Sequence, residues 1–67
     1  MTEKEIDILI TERALTCKEA HADALHRYLE FNIPDELRKT MEFDLNMCES
    51  RIQYYKQRIK KLGNEKH

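Results

Sequence analysis

Phe31-Asn32-Ile33-Pro34-Asp35-Glu36 decides the fold. Pro34 disfavours the helical conformation at Ile33, the residue before it. Pro34 is itself well suited to the first turn of a new helix. Asp35 and Glu36 follow where a helix macrodipole favours negative charge. The chain therefore breaks near Asn32-Ile33 and restarts at Pro34.

Upstream, Thr2-Glu3-Lys4-Glu5 fits a capping box, with Thr2 as N-cap and Glu5 reaching back to it. No Gly or Pro interrupts the run from Glu3 to Asn32. Downstream, Gly63 follows Lys60-Lys61-Leu62 and suits the position just past a helix end. The spacing predicts helices over 3–32 and 34–62, with residues 63–67 frayed. So short a connection favours antiparallel neighbours. The expected fold is all-α: an antiparallel two-helix hairpin, one domain over 1–67. One kinked helix of about 60 residues is the alternative, since proline can kink a helix as well as end it.

Composition agrees. The 67 residues hold one Gly and one Pro, 37% are charged and 40% apolar. That mix suits long amphipathic helices. A chain this short buries little surface and usually needs a staple or another subunit. The longest apolar run, Ile8-Leu9-Ile10, is far below the ~20 residues of a membrane span. The acidic N-terminus carries no signal core. A cytoplasmic location is expected, with both cysteines reduced.

The second helix has one clean seam: Met41, Leu45, Cys48, Ile52, Tyr55, Ile59 and Leu62 alternate spacings of four and three, with Leu37 extending it toward the turn. The first helix is apolar on two sides. Ile6, Ile10, Cys17, Ala24, Tyr28 and Phe31 follow one line. Ile8, Leu15, Ala22, Leu25 and Leu29 follow another, roughly 120° away on the helical wheel. One neighbour cannot cover both, and large exposed apolar patches usually mean contact. Small alanines could widen the stripe without adding much hydrophobic weight. The stronger expectation is a homodimer, two hairpins forming a four-helix bundle. Its interface is expected on Ile8, Leu15, Ala22, Leu25 and Leu29.

A smaller strip on helix two, Phe43, Met47 and Tyr54, lies away from the seam. With Arg51 and Arg58 it is the expected docking surface for a larger protein, since aromatics, Met and Arg favour interface cores.

Charge is unevenly placed. Residues 1–32 hold four basic and seven acidic side chains, and residues 33–50 hold two and five. Residues 51–67 hold six basic and one acidic. The cations of Arg51, Lys56, Arg58, Lys60 and Lys61, interleaved with Tyr54, raise a nucleic-acid reading. In an antiparallel hairpin, however, Lys56, Arg58, Lys60 and Lys61 come beside Glu3, Glu5, Asp7 and Glu12. Complementary ends of this kind set register. A net charge of −1 argues against a stand-alone nucleic-acid binder. A basic amphipathic helix on a membrane surface is expected even less.

A turn centred on Asn32-Ile33 sets Cys17 opposite Cys48 and His21 opposite Asp44. These four residues are a chemically reasonable tetrahedral zinc set. Two packed, reduced thiols are the plainer expectation, and a cross-helix disulfide is a third option. His21, His26 and His67 lack a nucleophile-and-orienter set, and no phosphate-binding glycine loop is present. The expectation is no enzyme and no cofactor. The sequence reads as a small regulatory or adaptor protein, of a size that mobile elements often encode. A nucleic-acid-binding hairpin and a metal- or redox-stapled module are the alternatives.

Overall fold

The structure is a computed structural model that describes residues 1–64. Two helices, α1 (Glu3–Leu29) and α2 (Asp35–Asn64), pack side by side along their length. The Cα envelope is a rod of 51 × 16 × 14 Å. Among the described residues there is no strand, so the all-α hairpin stands.

Local chemistry sets the ends. The Thr2 hydroxyl accepts from the Glu5 backbone N–H at 3.2 Å. The reciprocal half of the capping box differs from expectation. The Thr2 hydroxyl donates to the Glu5 carboxylate, and the carboxylate makes no bond to the Thr2 backbone. At the turn, α1 ends at Leu29, three residues before the expected boundary, with Glu30 as its cap. Pro34 stands one position outside α2, and its carbonyl accepts the first helical bond from Arg38 N–H. At the far end Gly63 lies inside α2 with no positive φ, so it is not a left-handed cap. The helix runs on through Asn64; the rest of the expected frayed end, 65–67, lies outside the described residues.

Arg38 closes the turn. Its guanidinium donates from Nη1 to the Leu29 carbonyl and from Nη2 to the Phe31 carbonyl, both at 3.0 Å. The Leu29 carbonyl ends α1, where the last turn leaves acceptors without helical partners, and the Phe31 carbonyl follows in the connection. A cation there also meets the negative end of the macrodipole.

The core is the seam between the helices. Ala22 and Leu25 of α1 meet Leu45, Cys48 and Ile52 of α2, with Leu15, Leu29 and Met41 packed against them. On α1 the seam follows Ile8, Thr11, Leu15, Lys18, Ala22, Leu25 and Leu29. All seven are buried or half-buried. Their spacing alternates three and four, the same repeat that α2 shows. Thr11 is tolerated inside because its hydroxyl donates to the Asp7 carbonyl at 2.7 Å. None of the large side chains among the described residues is fully sealed from water.

Candidate interaction surfaces

The face expected to meet a second chain turns inward instead. Ile8, Leu15, Ala22, Leu25 and Leu29 line the intrachain seam. The physical reason is bulk. This side offers four long aliphatic side chains to α2. The other side has only Cys17, Ala20 and Ala24 at its middle. Packing the leucine-rich side removes more apolar area from water.

The outer side of α1 is therefore left uncovered. Ile6, Leu9, Ile10, Tyr28 and Phe31 are each between 43% and 64% exposed. Leu9, Ile10, Arg13 and Cys17 border an open hollow on that side with Glu12 and Thr16. On the wheel this stripe lies about opposite the seam.

The α2 strip is where the sequence places it. Phe43, Met47 and Tyr54 are exposed, Phe43 at 65%. They lie on the side of α2 turned away from α1. Arg51 is exposed beside them. Tyr54, Gln57, Arg58 and Lys61 border a second shallow hollow. Tyr54 rests edge-on against Tyr55, ring centres 5.7 Å apart. Arg58 is engaged within the hairpin, donating to the Asp7 carboxylate at 2.7 Å. Of the expected charge matches between the open ends of the helices, this is the one formed among the described residues.

The basic residues do not gather on one face. On the wheel, Arg51 and Arg58 flank the seam on one side, and Lys56 and Lys60 flank it on the other. Lys61 lies one turn beyond Arg58 and borders the same hollow. A groove that tracks a phosphate backbone needs its cations along one line.

The cysteine register also differs from expectation. Cys48 is buried, and its Sγ lies 3.2 Å from Nδ1 of His21. Cys17 is exposed on the outer side of α1, and Asp44 is exposed too. Side chains lean toward the N-terminus of their own helix. In an antiparallel pair, α1 side chains lean away from the loop and α2 side chains toward it. Cys48 therefore meets a residue one turn nearer the loop than backbone symmetry suggests. Cys17, His21, Asp44 and Cys48 do not converge, and no cluster of three or more metal-binding side chains occurs among the described residues. No described helix is long and apolar enough to cross a membrane.

Comparison of the chain with protein-family models, with curated proteins and with solved structures gives no match.

Proposed function

We propose that this chain is a small non-enzymatic regulatory or adaptor protein, working by contact with other protein chains. It self-associates, and it modulates a larger protein through the outer face of α2. The observation that carries this reading is the aligned, exposed Phe43–Met47–Tyr54 strip. Folding leaves all three of these side chains more than half exposed. An aromatic and Met line with Arg51 at its edge has the composition of an interface centre. The hollows the hairpin offers among the described residues are open and shallow.

Recovery of partner proteins from the native host tests it, comparing the wild-type chain with Phe43→Ala and Tyr54→Ala. Both variants are expected to keep their helix content and lose the partner. Equal recovery by all three chains would remove the α2 face from consideration. The nucleic-acid alternative predicts salt-sensitive binding to DNA or RNA that weakens in Lys56→Ala and Lys60→Ala.

A further inference from the structure

The proposed self-association has a specific face available to it, and the inference below rests on that reading. We propose that two copies pair α1 against α1, antiparallel, about a two-fold axis passing between Cys17 and Ala20.

The outer side of α1 carries a second repeat of alternating fours and threes: Ile6, Ile10, Arg13, Cys17, Ala20, Ala24 and Arg27, with Phe31 just past its end. This is the spacing that one straight partner helix reads. The seam uses none of these positions. The stripe is also self-complementary when reversed. With Cys17 set against Ala20 of the second copy, Arg13 meets Ala24, Ile10 meets Arg27 and Ile6 meets Phe31. At the same level Leu9 and Tyr28 flank the stripe on opposite sides. Small side chains fall at the centre, where the two backbones approach most closely. Large apolar ones fall at both ends, and each end joins an aliphatic to an aromatic residue.

Charge selects the direction. A parallel, in-register pair would stack Arg13 on Arg13 and Arg27 on Arg27, two repulsive layers. The antiparallel pair separates them and sets each opposite a neutral residue, Arg13 by Ala24 and Arg27 by Ile10. Area is adequate as well. The five large side chains are about half exposed, which amounts to on the order of 500 Å² of apolar surface per copy; doubled, that is about 1,000 Å², the least a specific interface is expected to bury.

The resulting shape differs from a closed bundle. The stripe lies about opposite the seam, so the four helices form an open layer in the order α2, α1, α1, α2. Both Phe43–Met47–Tyr54 strips then stay uncovered at the outer edges. A dimer of this kind presents two partner sites facing opposite ways.

Sedimentation equilibrium and disulfide mapping on Ala20→Cys test the inference together. The wild-type chain is expected to sediment at twice its mass at about tens of micromolar. Mild oxidation of Ala20→Cys is expected to give a covalent dimer. Its tryptic map should join peptide 14–18, which holds Cys17, to peptide 19–27, which holds the introduced thiol. A dimer that joins like peptides to like, or that oxidation does not trap, would overturn this pairing and leave self-association standing. A monomeric wild-type chain would overturn both. Ile10→Glu is a second probe, because Ile10 is exposed and outside the seam. It should weaken association about tenfold or more with helix content unchanged. Undiminished association would overturn the proposed face.

Discussion

Cys48 Sγ lies 3.2 Å from Nδ1 of His21, across the seam and a full turn from Cys17. With the imidazole proton on Nε2, the thiol hydrogen is donated to Nδ1. The contact satisfies a polar atom at the edge of the core. It also separates the two cysteines chemically. Cys17 faces outward, and Cys48 is only 3% exposed.

A maleimide reagent reads that separation directly. Diluted until the chain is monomeric, the folded protein should take one adduct quickly, at Cys17, and a second only on unfolding, because modification needs an accessible thiol. Cys17→Ser should abolish the fast adduct, and Cys48→Ala should leave it. No disulfide within the chain should form on mild oxidation, since bridging needs close Cβ atoms. Two equally fast adducts, or an oxidised monomer lighter by two hydrogens, would contradict the register.

Arg38 is expected to matter beyond its place in the turn. Two charge-assisted bonds to the Leu29 and Phe31 carbonyls depend on it. Such bonds contribute more than neutral ones. Arg38→Ala should lower stability by about 1–3 kcal/mol, visible as a drop in thermal midpoint. Arg38→Lys keeps the charge near the helix end but loses the fork, so it should fall between the two. A midpoint unmoved by Arg38→Ala would mean that water serves those carbonyls equally well.

The hairpin itself was legible because its determinants are local. Pro34, the acids after it and Thr2 each act on their own turn of backbone. The seam of α2 was legible because all seven of its positions are apolar. The seam of α1 was hidden by Thr11 and Lys18, polar residues at two of its seven positions. Thr11 hides its hydroxyl in a bond to the Asp7 carbonyl, which composition does not reveal. With the repeat disguised, the two apolar sides of α1 were exchanged. The cysteine register failed for a different cause. Backbone symmetry ignores the opposite lean of side chains on antiparallel helices. Arg38 was missed because its partners are carbonyls seven and nine residues away, brought near only by the turn.

The Asp7–Arg58 pair joins the open ends of the two helices. Its side chains are roughly two-fifths exposed, so solvent screens the attraction. A double-mutant cycle on Asp7→Ala and Arg58→Ala should return a coupling of about 0.2–1 kcal/mol. The coupling should shrink as salt rises. The pair then acts mainly on alignment. A coupling of several kcal/mol, insensitive to salt, would place it in a drier setting than the hairpin provides.

Leu25 and Phe43 make the sharpest contrast between support and surface. Leu25 is buried in the seam, and Phe43 is largely exposed on the far side of α2. Leu25→Ala removes core volume and should cost about 2–4 kcal/mol. A seam with only five buried apolar side chains has little stability in reserve, so much of the helical signal should be lost on warming. Phe43→Ala should change stability by no more than about 0.5 kcal/mol, as surface substitutions do. Thermal denaturation followed by circular dichroism measures both. If Phe43→Ala proved as costly as Leu25→Ala, the α2 strip would already be buried in the free protein. It would then belong to an assembly interface and would not be free for a partner.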